Sequence, residues 1–150
     1  FSGSLFTHQD NTLSYTRDRK TIYKQIKKYI YNPGRLNYNQ FLKHINDSKY
    51  SIDLNGVGDP NKRTFEILSQ GSLMISEYND LKWPFEDGDE FSKELVFKNN
   101  QEFIDIINKI KNDKDFYDTS INNQIYIWNK YFNIQWIQLY ILNHLQITLS

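Results

Sequence analysis

The chain has 150 residues, 16% of them aromatic, and its 18 Lys plus Arg balance 18 Asp plus Glu. That length suits one domain, 1–150, with a sizeable core, and the neutral total argues against a general nucleic-acid binder, which needs a basic footprint. The absence of Cys removes disulfides, thiol nucleophiles and zinc–thiolate sites; no apolar run is long enough for a membrane span or reads as a leader, so a cytoplasmic location is the expectation.

Phe1–Phe6 reads as a short strand with Gly3 near its end. It begins as if already inside an element, which suggests a chain cut from a longer protein. Thr7–Ser14 is a polar loop, and its His8, like His44 and His144, shows no metal-ligand spacing. A helix starts near Arg17, with Ile22, Ile26, Tyr29 and Ile30 at helical spacing, and Asn32-Pro33-Gly34 stops it. Asn37 caps a second helix with Phe41, Leu42 and Ile45 on its apolar face.

Tyr50–Leu54 is the next strand and Asn55–Pro60 the loop after it. Asp59 is expected to cap the following helix with Pro60 at its first position. That helix carries Phe65, Ile67 and Leu68 and stops at Gly71. Leu73–Ser76 is a strand, Tyr78–Ser92 a long polar loop, and Leu95–Phe97 a short strand. Asn99 or Asn100 caps a helix bearing Phe103, Ile106, Ile107 and Ile110, and an aromatic-rich helical region runs from about Ile121 to Leu145. Strands alternating with helices predict an α/β fold with a mostly parallel sheet between helical layers.

In such a sheet ligands bind outside the carboxyl ends of the strands. Gly3, with Ser4 beside it, and Gly56 with Gly58 follow strands there, and glycine lets a backbone approach a ligand closely. The helix opened by Asp59-Pro60 turns free N–H groups and its positive dipole end into the same crevice. Lys62 and Arg63 in its first turn conflict with that dipole unless an anion sits nearby. Glu66, three residues after Arg63, shares its helical face. The plainer account makes the glycines a turn, Lys62 and Arg63 solvated, and Arg63–Glu66 a surface ion pair worth a few tenths of a kcal/mol. The functional account aims Glu66 at the vicinal hydroxyls of a ribose, two donors for one carboxylate.

The run RTFEILSQGSLMISE, Arg63 to Glu77, resembles the signature of CgeB-like and family-4-like glycosyltransferases of the GT-B fold. FSGSL is similar to the first strand of that fold's C-terminal half, FEDGDE from Phe85 to its F-x-D-G-x-E loop, and Phe97–Ile110 to its next strand and helix. The resemblance implies the Rossmann-like, donor-binding half of a two-domain enzyme. Its donor is a nucleoside-diphosphate sugar, its acceptor an unknown glycan, protein or lipid, and its missing N-terminal domain the remaining partner. It places the ribose at Glu66 and the diphosphate near Gly3, Ser4, Gly56, Gly58, Asp59 and Arg63, with Arg63 and Lys62 stabilising the leaving group; Arg17 or Arg19 match a basic diphosphate role less well. It implies a retaining transfer without metal or further cofactor; Asp87-Gly88-Asp89 has the spacing of an acidic metal motif but reads better as a polar turn. The family's second Glu, directed at the donor sugar, falls here on Gly58, and the segment that cradles the base is shortened to Asn32–Leu36. A non-catalytic binding module is therefore the alternative, and an unrelated flavodoxin-like domain the third reading. Tyr126, Trp128, Tyr131, Phe132, Trp136 and Tyr140 read mainly as core or interdomain packing, and Trp83 and Phe85 as loop packing with a possible contact to ligand.

Overall fold

The computed structural model describes residues 19–55, 60–80, 83, 85, 91, 93–135, 137–139 and 141–142. The element order is α1 (Arg19–Ile26), α2 (Tyr38–Asn46), β1 (Tyr50–Asp53), α3 (Lys62–Ser69), β2 (Leu73–Glu77), β3 (Val96–Phe97), α4 (Asn100–Asn112) and α5 (Lys114–Tyr131). The strands form one parallel sheet in the order β1-β2-β3, with Tyr50 beside Leu73, Asp53 beside Ser76 and Glu77 beside Phe97. The architecture is Rossmann-like α/β. The expected strand Phe1–Phe6 lies outside the described residues.

The period of two along β2 divides the core. Leu73 and Ile75 join Ile52, Leu54, Ile26, Phe103 and Ile107 in one apolar cluster, built with α1 and α4. Met74 belongs to the other, with Ile45, Ile67 and Leu68 from α2 and α3. A sheet clothed on both faces explains why its strands read as nearly continuous apolar runs. β3 is too short to pair with β2 at Met74, and Gln124 of α5 takes its place. Its buried side-chain amide accepts the Met74 N–H at 2.8 Å and donates to the Met74 carbonyl at 3.0 Å. Both backbone groups are thereby satisfied away from water.

Local chemistry sets the helix ends. Asn37 and Gln40 form a reciprocal capping box at α2. Gly34 and Gly71 take positive φ, +82° and +70°, where a side chain would be strained; Gly71 closes the turn after α3 as the sequence predicts. Asn99 caps α4, accepting from the Glu102 N–H, while Glu102 accepts from Lys98 N–H.

Two expectations shift. The N-cap of α3 is Asn61, whose Oδ1 accepts the Arg63 N–H at 2.9 Å, so the helix begins at Lys62 and Pro60 precedes the cap. Asn and Asp cap about equally well, and Asn61 has the advantage of an amide that also reaches Asp53. The last long helix begins at Lys114, not near Ile121, because Asp113 closes α4 and caps α5 in one residue. Its buried stripe, Ser120, Gln124, Ile127 and Tyr131, has helical spacing but is half polar.

Candidate functional site

The carboxyl ends of β1 and β2 carry two buried carboxylates, Asp53 and Glu77, 8% and 2% exposed. A buried charge must be hydrogen-bonded to be tolerated, and both are. Thr64 of α3 donates its hydroxyl to Asp53 Oδ2 at 2.5 Å, and Asn61 Nδ2 donates to Asp53 Oδ1 at 3.2 Å. Glu77 accepts the Asn55 N–H at 3.1 Å. The Asn55 side chain donates to the Tyr78 carbonyl at 2.6 Å and accepts from Asn79 at 3.1 Å. Tyr78 N–H in turn reaches the Phe97 carbonyl at 2.8 Å, so all three strand exits are tied together.

These bonds hold Asn55 and Asn61, on either side of residues 56–59. Gly56, Gly58 and Asp59 lie outside the described residues, as do Gly3, Ser4, His8, Arg17 and the Asp87-Gly88-Asp89 turn. Among the described residues no three His, Cys, Asp or Glu side chains converge as a metal site.

The three described members of the sequence-derived site share α3. Its first turn holds Lys62 and Arg63 and no acid. Glu66 pairs with Lys62 at 3.3 Å, an i,i+4 contact, and its side chain is only 12% exposed while that of Lys62 is 77% exposed. A Lys placed N-terminal to its Glu is the weaker order for such a pair. Lys62 also sits over the Tyr38 ring at 4.6 Å, and the Arg63 guanidinium lies 5.5 Å from the Phe41 ring. In place of the Arg63–Glu66 ion pair of the plainer account, Glu66 pairs with Lys62, and Arg63 is directed toward α2.

There Arg63 lines a pocket of about 220 Å³ between β1, α2 and α3. Phe41, Tyr31 and His44 contribute rings, the last two 5.4 Å apart, and Lys49 a second cation. No Asp or Glu lines it among the described residues. Burial raises the Tyr50 hydroxyl above its usual pKa, consistent with its place on the wall, where it donates to the Tyr29 carbonyl at 3.1 Å.

The loop aromatics pack instead against the protein. Trp83 and Phe85 stack on each other at 5.5 Å with a 2° interplanar angle. Edge contacts tie them to Phe91 and Phe132, and Trp83 reaches Phe65 of α3. Phe85 also stacks on Tyr131 at 4.7 Å. The loop-packing reading of the sequence is the one observed.

Sequence reasoning missed Asp53, Thr64 and Asn61 as a unit and Glu77 as a buried anchor. The available signals were an acid closing each apolar strand, SID and LMISE, and a second capping residue two positions after Asp59.

The sequence model of a family described as glycosyl transferase-like matches residues 5–126. The chain belongs to that family. Glycosyl transfer is the activity class this membership carries, and a parallel Rossmann-like sheet with α3 rising from its carboxyl edge is a fitting frame for it. No curated protein and no solved structure matches the chain. Among the described residues no helix is long and apolar enough to cross a membrane.

Proposed function

We propose that the chain is the donor-binding half of a glycosyltransferase, taking the diphosphate of a nucleoside-diphosphate sugar at the first turn of α3 and the ribose at Glu66. The observation that carries this reading is Arg63, which belongs both to the cation-bearing start of α3 and to the wall of a pocket with no Asp or Glu among its described lining residues. A helix N-terminus attracts an anion, by about 0.3–1 kcal/mol, and Lys62 and Arg63 in that turn would add to the attraction. The pocket is smaller than the roughly 300–1,000 Å³ of a whole-ligand site. It suits the base end of a donor, stacked near Phe41 and Tyr31, with the sugar directed toward a second domain that supplies the acceptor.

Chemically, transfer passes through a transition state with positive charge on the sugar while charge gathers on the departing diphosphate. Lys62, Arg63 and the positive end of the α3 dipole would stabilise that leaving group, an electrostatic contribution that is usually the largest in such sites. Retention and independence from metal follow the resemblance to family-4-like and CgeB-like enzymes. Gly58, standing where those enzymes place a second Glu, favours one further reading: a glycosyltransferase-like module that binds nucleotide without turnover.

A thermal-shift panel of UDP, GDP, ADP, CMP and TDP, run beside Glu66→Ala, tests the proposal. At 100 times its dissociation constant a ligand adds about 2.7 kcal/mol, roughly 5–10 °C at about 2–4 °C per kcal/mol. A base-selective shift that Glu66→Ala loses is expected. An equal shift in the variant would remove Glu66 from the site, and no shift with any nucleotide would remove the donor reading for this chain. Sugar transfer by the chain without a second domain would contradict the half-enzyme account.

A further inference from the structure

We propose that Asp53 is a positioning residue: through Asn61 it fixes the direction of the first turn of α3, and with it Lys62 and Arg63. The inference rests on the donor reading for its functional meaning, but its geometry stands apart from it. Asp53 is nearly buried at the exit of β1, where an apolar residue would continue the strand at lower cost. Both of its oxygens accept hydrogen bonds from one element. Thr64 Oγ1 holds Oδ2 and Asn61 Nδ2 holds Oδ1.

Asn61 converts that charge into orientation. Its amide has a donor end and an acceptor end. With Nδ2 committed to Asp53, and also 3.5 Å from the Leu54 carbonyl, Oδ1 must face the helix, where it accepts the Arg63 N–H. The sequence carboxylate, amide, backbone N–H thus runs from the sheet to the residue that lines the pocket. Thr64, 3% exposed, pins the same turn from its inner side, so the turn is held at two points against a rigid strand end. A cap alone would satisfy the helix; two bonds to one carboxylate also set its angle. Holding binding groups in place before the ligand arrives lowers the cost of binding.

Asn61→Ser separates capping from positioning. Serine caps a helix about as well as asparagine, but it has no amide to reach Asp53. The full chain, Asn61→Ser, Asp53→Ala and Asp53→Asn are titrated with the UDP, GDP, ADP and TDP panel, while hydrogen exchange is read at the Arg63 amide and melting is followed in parallel. Asn61→Ser should bind about tenfold more weakly, the scale of one hydrogen bond, exchange the Arg63 amide faster and melt close to the parent. Asp53→Ala should do the same with a lower melting temperature. Asp53→Asn should stay close to the parent, since its carbonyl still accepts from Asn61 and Thr64 can turn its hydroxyl to accept. Should Asp53→Ala fail to fold, Asn61→Ser decides alone. Parent-like binding and exchange in Asn61→Ser would reduce Asn61 to a cap and overturn the proposal. If the parent binds no nucleotide but Asn61→Ser still speeds exchange at Arg63, the positioning role stands and the donor reading falls.

Discussion

The two sides of α3 are held by different physics. Toward β1 the contacts are polar and directional: one carboxylate, one hydroxyl and one amide, each with a defined partner. Toward α5 they are aromatic: Phe65 meets Trp83 and Phe132 edge-on, and Trp128 stacks on Phe132 at 5.4 Å. Ring burial is strong and tolerant of small shifts, whereas hydrogen bonds to a buried charge fix angle and register. The aromatic side therefore joins buried Ile67 and Leu68 in holding the helix on the domain, and the polar side aims its first turn.

That division can be broken from either side. The largest effect lies outside it, in the apolar cluster that α4 builds with Leu73 and Ile75: Phe103→Ala, at a fully buried position, should cost about 3–5 kcal/mol, measured by denaturant unfolding. Phe65→Ala removes a half-buried ring and should cost about 2 kcal/mol, below the range for fully buried rings, while leaving nucleotide affinity within about twofold; a tenfold loss of affinity would erase the distinction between the two sides. Glu66→Ala should invert that pattern. Its partner Lys62 is largely exposed, so the stability change should stay under about 1 kcal/mol, while affinity falls about tenfold, as when a ribose hydroxyl loses its acceptor.

The smallest effect concerns pH. Burial raises the Tyr50 pKa in the folded state. The folded protein therefore keeps this proton more tightly than the unfolded chain, and the associated stability is complete below pH 10 and is lost as pH rises beyond it. Tyr50→Phe should flatten the alkaline side of the stability profile slightly; a steeper decline in the variant would contradict the burial assignment.

Much of the frame was legible in the residues because it rests on local rules. Asn37 announced its helix cap, Gly71 the stop after α3, and Phe103, Ile106, Ile107 and Ile110 the buried face of α4. Alternating strands and helices announced a parallel sheet. What was not legible depended on partners distant in sequence. The choice of Asn61 over Asp59 as cap turned on Asp53, eight residues away, and the burial of Glu77 on Asn55, 22 residues away. The start of α5 was hidden because Asp113 serves two helices and the first turns that follow lack a continuous apolar stripe. Nor did spacing alone show that Glu66 would pair with Lys62 while the Arg63 guanidinium lies by Phe41 of α2.

The central claim, that the first turn of α3 receives a diphosphate, is tested most directly by calorimetric titration with matched nucleoside and nucleoside diphosphate, in the parent and in Arg63→Ala. The account expects the diphosphate to bind at least about tenfold more tightly than its nucleoside, as charge-assisted hydrogen bonds would provide, with most of that advantage lost in Arg63→Ala and weakened by salt. Equal affinities for nucleoside and diphosphate, or an advantage untouched by Arg63→Ala, would contradict it.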